Sequence, residues 1–190
     1  MTASPDFTYW NSVDPSSFLD HDWQNPSRQW ATERAVKAAK KGTLLEVGPG
    51  PGKDYANVFS KAAAKYIGVE GSTTLYDALQ SRFPEAAWQN ATIADLAPLS
   101  ADVVYARHVL EHQPALEPAF GQLLAAARKT AVITWYRPPG PQAFFEIWEG
   151  VHCQTYARVA ALASVGKAGF RIAASEKFES GDEAWILERK

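Results

Sequence analysis

The chain has 190 residues, of which 46% are hydrophobic and 21% charged, and a formal net charge of −2. That composition excludes an intrinsically disordered protein and provides no broad attraction for nucleic acid. No apolar run approaches the roughly 20 residues of a membrane span, the opening Met1–Asp6 lacks the pattern of a signal peptide, and a lone Cys153 cannot close an internal disulfide. A single cytoplasmic domain over residues 1–190 is expected, as a monomer or homodimer with no nucleic-acid or membrane partner.

The first 41 residues are aromatic-rich, with Phe7, Tyr9, Trp10, Phe18, Trp23 and Trp30. Asn25 before Pro26 reads as an N-cap followed by proline in the first turn, so Ser27–Lys41 is predicted helical. From residue 42 onward short strands alternate with helices. Thr43–Val47 reads as a strand, Asp54–Ala64 as a helix, Tyr66–Val69 as a strand, Thr73–Arg82 as a helix and Ala87–Asn90 as a strand. Asp102–Tyr105 is a short apolar strand, Leu116–Arg128 an amphipathic helix and Ala131–Trp135 another strand. Arg137–Thr155 is a long connection rich in proline and aromatics, in which a helix is expected. A helix over Tyr156–Ala168 ends at Gly169, and strands at Phe170–Phe178 and Ala184–Glu188 are joined by a link short enough only for an antiparallel pair. The fold class is therefore α/β: a Rossmann-like, doubly wound, mostly parallel seven-stranded sheet with a C-terminal antiparallel hairpin. Residues 42–190 form its ligand-binding core, preceded by the lid and helix region of residues 1–41.

After the first strand comes Gly48-Pro49-Gly50-Pro51-Gly52, a turn whose glycines permit positive φ and close approach of a ligand to the backbone. Such turns lie at the carboxyl edge of a doubly wound sheet, where ligands bind. Glu46, within the entering strand, either favours a cationic ligand group or braces the turn. Glu70, followed by Gly71, ends the second strand 18 residues after Gly52, near the spacing at which a carboxylate accepts from a ribose diol. The competing role for Glu70 is to cap the helix that starts just beyond it. A nicotinamide-dependent oxidoreductase would share both features.

From Thr43 onward the sequence resembles the class I methyltransferases that use S-adenosylmethionine (SAM), in their small-molecule branch. The resemblance rests on Glu46-Val47-Gly48-Pro49-Gly50-Pro51-Gly52, on Glu70, on the run Ala101-Asp102-Val103-Val104-Tyr105-Ala106-Arg107-His108-Val109-Leu110-Glu111-His112, and on the terminal hairpin entered by Gly169-Phe170. It implies SAM as cofactor and a small-molecule acceptor, with oxygen favoured over nitrogen as the methylated atom. The oxidoreductase does not explain the fourth-strand run, and a non-catalytic SAM-binding module of the same fold is the other alternative. Where many relatives have an acid for the adenine amino group, this chain has Thr92. Adenine is therefore expected at the backbone of Ile93 and Ala94, with Asp95 helping or only capping.

SAM carries an already activated methyl group, so the protein has to position an acceptor and exclude water. For an oxygen acceptor that keeps its proton, His108, His112 and His152 are the candidate general bases, with a structural role as the competing reading for His112. Arg107 is counted with the cofactor site, and Arg107 and Arg137 both offer planar forks for an anionic group. Tyr9, Trp10, Trp23, Tyr136 and Arg137 are the expected acceptor contacts, the first three on a lid. The other reading of these aromatics is that they seal the end of the sheet or form a dimer contact. No metal-ligand spacing is present, and no metal is expected.

Overall fold

The computed structural model describes residues 7–18, 24–40, 42–63, 65–148 and 151–190. Trp23, one of the expected acceptor contacts, lies outside them. Two helices precede the sheet, α1 (Thr8–Ser12) and α2 (Pro26–Ala39). Asn25 caps α2 as its sequence requires, its side chain accepting from Ser27 N at 2.9 Å and Arg28 N at 3.3 Å.

Strand β1 (Thr43–Val47) enters the glycine turn. The helical segment that follows is π-helical over Tyr55–Phe59 before the short α3 (Ser60–Ala62). Then come β2 (Lys65–Glu70), α4 (Thr73–Arg82), β3 (Ala87–Asn90) and β4 (Ala101–Arg107). Helix α5 (Ala119–Ala126) is shorter than its amphipathic pattern predicts. Pro118 stands before its first turn, and its last residue runs directly into β5 (Ala127–Trp135), whose Ala127 already pairs with Ala101.

The expected helix in the long connection is instead a pair of antiparallel strands, β6 (Phe144–Trp148) and β7 (Val151–Thr155). The run Phe-Phe-Glu-Ile-Trp is rich in aromatic and β-branched side chains that suit a pleated surface better than a helix. Helix α6 (Arg158–Lys167) and strands β8 (Phe170–Lys177) and β9 (Glu183–Arg189) complete the chain.

The main sheet has the order β3-β2-β1-β4-β5-β9-β8; β1 to β5 pair in parallel, and β9 enters between β5 and β8 antiparallel to both. Alternation along the strands divides the core. Leu45, Val47, Val104, Ala106, Ile133 and Trp135 face one side with α5 and α6, whereas Leu44, Val103, Tyr105 and Val132 face Ala31, Ala35 and Ala39 of α2. Helix α2, part of the region expected to form the lid, is instead packed into the core. None of the helices described is long and apolar enough to cross a membrane.

The loops at the carboxyl edge are held by a buried carboxylate. Glu111 is fully buried, and its Oε1 accepts from Tyr136 N at 2.6 Å and Arg137 N at 3.4 Å. Oε2 has no hydrogen-bond partner among the described residues. Burial raises the carboxyl to about 7 against the pull of these amides. A group raised in the folded state contributes stability that is complete below its ordinary value and lost as pH rises through 7. Glu111→Gln is therefore expected to be more stable than wild type at pH 8, by roughly 2–3 kcal/mol, with the gain shrinking towards pH 5. Denaturant melts at the two pH values check this.

Candidate functional site

The glycine turn has the backbone its sequence requires, with φ of 68° at Gly48, 57° at Gly50 and 80° at Gly52. The three have different roles. A Cβ on Gly50 would meet nothing within 4 Å, because that residue borders open space. A Cβ on Gly52 would lie 2.7 Å from Leu79 and 2.8 Å from Phe83, so Gly52 lets the turn pack against α4. Gly52 lines neither cavity described below.

Glu70 closes the turn from the next strand. Its Oε2 accepts from Gly50 N at 3.0 Å and its Oε1 from Ser72 N at 2.9 Å. Burial raises this carboxyl to about 7, opposed by the amides of Ser72, Gly50 and Gly71. The carboxyl has acceptor capacity beyond these amides for a ligand hydroxyl. Glu70, Gly71, Gly48 and Gly50 line a slot of about 110 Å³ whose apolar walls include Phe7, Ile93 and Val109.

The slot opens beside a cavity of about 730 Å³, within the range of small-molecule sites. Glu46, Gly48, Pro49, Arg28, Lys53 and Asp54 form one part of its wall. Glu46 does not reach the turn amides. It accepts from the Tyr66 hydroxyl, and burial and then the charge of Asp54 hold it well above the carboxylate range. Asp54 pairs with Arg28 at 3.1 Å and accepts from the Tyr105 hydroxyl at 2.9 Å.

Another part of the lining is a run of rings. Tyr9 meets Trp10 with centroids 5.1 Å apart, Trp10 meets His112 at 5.1 Å, His112 stacks on Tyr136 at 5.6 Å, and Tyr136 meets His108 at 5.4 Å. Tyr9 and Trp10 belong to α1, which is anchored on the start of α4. Asn11 Oδ1 accepts from Ser72 Oγ at 2.9 Å and Thr73 N at 3.0 Å, and Asn11 O accepts from Thr74 Oγ1 at 2.7 Å.

His108 follows β4 with a positive φ of 56°, uncommon for any residue but glycine. Its Nε2 donates to Asp182 Oδ2 at 3.3 Å, which leaves the lone pair of the neutral ring on Nδ1. Burial pushes the imidazole down to about 4, against the support of Asp182. Asp182 also accepts from Ser27 Oγ and lies 3.7 Å from Arg107. Burial pushes Asp182 up, but the hydrogen bonds of His108 and Ser27 and the charge of Arg107 outweigh it, holding the carboxylate below its usual range. His108 and His112 border both cavities.

Other expected contacts fall elsewhere. His152 lines neither cavity: its carbonyl accepts from His112 Nδ1 at 2.8 Å, and its ring lies against Phe145. Arg137 pairs with Glu146 of β6. Asp95 accepts from Thr92 N at 2.9 Å and Thr92 Oγ1 at 2.8 Å, closing a capping box, and neither it nor Ala94 borders the slot. Arg107, Tyr9, Trp10 and Tyr136 do line the larger cavity.

A methyltransferase-domain family model matches residues 19–139, more than half of the chain. The chain belongs to the class I SAM-dependent methyltransferase family. The fold of this methyltransferase is similar to that of magnesium protoporphyrin IX methyltransferase from Synechocystis PCC 6803 with bound SAM, at 17% identity, with a TM-score of 0.72 and coverage of 96% of this chain and 94% of that one. It is also similar to a SAM-bound amino pentose methyltransferase from Micromonospora echinaspora involved in calicheamicin biosynthesis (13% identity, TM-score 0.73, coverage 92% and 95%). A third likeness is to Burkholderia thailandensis 1,6-didemethyltoxoflavin-N1-methyltransferase with bound 1,6-didemethyltoxoflavin and S-adenosylhomocysteine (14% identity, TM-score 0.69, coverage 100% and 92%). No curated protein matches the chain by sequence. The family assignment displaces the oxidoreductase alternative.

Sequence reasoning missed Asp182, which lies 74 residues from His108 in a turn that reads only as a hairpin connection. It also missed Arg28, Lys53 and Asp54. Lys53 and Asp54 directly follow the glycine turn, and that position was the signal for them.

A Cβ on Gly71 would lie 2.3 Å from the ring of Phe7, so Gly71 is the seat of the N-terminal segment. Gly71→Ala in the methyltransferase is expected to displace Phe7 and α1 while leaving the core melt nearly unchanged. A shift in tryptophan emission and faster proteolysis near residue 10 check this.

Proposed function

We propose that this methyltransferase moves the methyl group of SAM to an oxygen of a small-molecule acceptor, with His108 taking the proton of the acceptor hydroxyl. When bound, SAM supplies a methyl group activated on a sulfonium. Three features fit that group. The Glu70 carboxylate lines an apolar slot with Gly71, Phe7 and Ile93, where the ribose of an adenosyl group would find an acceptor. Positive-φ Gly48 and Gly50 bring the backbone to the cavity edge. Arg28 and Lys53 on one side and Asp54 on the other offer both signs of charge to an amino-acid tail, with the buried Glu46 beside them.

The observation that carries the base assignment is His108 itself. It stands between the two cavities with a strained backbone, and its Nε2 is committed to Asp182. An anchored Nε2 presents Nδ1 as the acceptor, while the Tyr136 ring lies edge-on against the imidazole and is itself stacked on His112. With the imidazole at about 4, the ring is neutral throughout the physiological range. With SAM bound, Nδ1 of His108 would take the proton of the acceptor hydroxyl as the oxygen receives the methyl group, and would release that proton to solvent afterwards. The aromatic segment before α2 covers the slot and keeps water out.

His108→Gln is expected to lower kcat by about 10²–10⁴-fold with S-adenosylhomocysteine affinity preserved. Turnover near the wild-type rate would overturn the base assignment. In wild type the acid limb of kcat set by this group is expected near pH 4 instead of near 6.5. Calorimetric titration of Glu70→Ala with SAM is expected to show binding weaker by roughly 1.5–3 kcal/mol. Unchanged affinity would remove Glu70 from the cofactor site.

A further inference from the structure

Arg107 ends β4, one residue before His108, and borders the larger cavity. Its side chain is 13% exposed. Among the described residues its guanidinium makes no hydrogen bond: the ion pair with Asp182, at 3.7 Å, is too long for one, and its Nε is buried without a partner. Asp182 is already occupied by His108 and Ser27. A guanidinium has five donors in a rigid planar fork, and leaving them unfilled away from water is costly. A fork in this condition at a cavity wall is arranged for a carboxylate.

The rest of the wall gives the other half of the ligand. The run Tyr9, Trp10, His112, Tyr136 and His108 is aromatic from end to end, with successive centroids 5.1–5.6 Å apart. Such a surface suits a flat ring, by stacking or edge contact. The charge balance agrees. The pairs Arg28–Asp54 and Arg107–Asp182 each join one cation to one anion, Lys53 adds a positive charge to the same cavity, and bound SAM would add that of its sulfonium. That balance favours an anionic acceptor over a neutral one.

Building on the methyl-transfer reading above, we propose that the acceptor is an aromatic hydroxy acid, its ring lying along this wall and its carboxylate received by Arg107. Arg107 then sets substrate specificity, and His108 beside it faces the hydroxyl of the same molecule. A carboxylate on the fork could equally come from the amino-acid tail of SAM, and the experiment separates the two sources.

The protein saturated with S-adenosylhomocysteine is titrated by calorimetry with 2-, 3- and 4-hydroxybenzoate and with the corresponding neutral hydroxybenzamides. At least one acid is expected to bind about tenfold or more tightly than its amide. Arg107→Gln is expected to abolish that preference and leave S-adenosylhomocysteine affinity unchanged, and Arg107→Lys to keep part of it. Equal binding of acid and amide to wild type, or no binding of any of the acids, overturns the proposal without touching methyl transfer. A loss of S-adenosylhomocysteine affinity in Arg107→Gln also overturns it and assigns the fork to the cofactor. Failure of wild type to bind S-adenosylhomocysteine overturns both readings. The acid–amide comparison needs no variant, so it holds even if Arg107→Gln fails to fold.

Discussion

Three distant stretches of chain meet on the carboxylate of Asp182. Ser27 reaches it from the first turn of α2, Arg107 and His108 reach it from the end of β4, and the carboxylate itself stands at the entry to β9. The sheet alone fixes where β4 ends. This shared acceptor fixes how the residues just past that end are turned. Without it, a histidine at positive φ would lose its side-chain hydrogen bond, and Arg107 would lose its ion-pair partner. Breaking one partner out of a buried pair typically costs about 3–5 kcal/mol, far more than a surface pair is worth.

Charge at this edge is organised by burial as much as by sign. Glu46, Glu70 and Glu111 are raised by being taken out of water, whereas Asp182 is held ionised by the donors around it. The same sheet edge therefore has carboxyls inclined to hold a proton within ångströms of one that gives it up. Environment decides which acid stays charged. The neutral imidazole of His108 follows from the same rule, since burial outweighs the acid beside it.

Local chemistry was legible in the sequence, and long-range convergence was not. The Asn25 cap, the strand alternation and the α4 boundaries follow from residues within a few positions of one another. Thr92 and Asp95 also carry a local signature, the spacing of a capping box, and that is the structure they form. The β6–β7 pair is hard to read from sequence because prolines and glycine crowd the connection just before Phe144–Trp148, whose aromatic and β-branched side chains favour a strand. Asp182 could not be found by spacing, because its partners lie 74 and 155 residues away. Of the three glycines, sequence marks the turn but not the division of labour. Only packing shows that Gly52 serves α4 and Gly50 the open cavity.

The place of β9 in the sheet has a consequence for how the protein is made. This strand, Glu183–Arg189, sits between β5 and β8, although every other strand precedes it in the chain. While a ribosome is still adding these residues, β5 exposes an unpaired edge and Ser27, Arg107 and His108 lack their common acceptor. This carboxyl edge therefore cannot be completed before β9 has been made. Until then the nascent chain presents an open strand edge of the kind that invites mispairing.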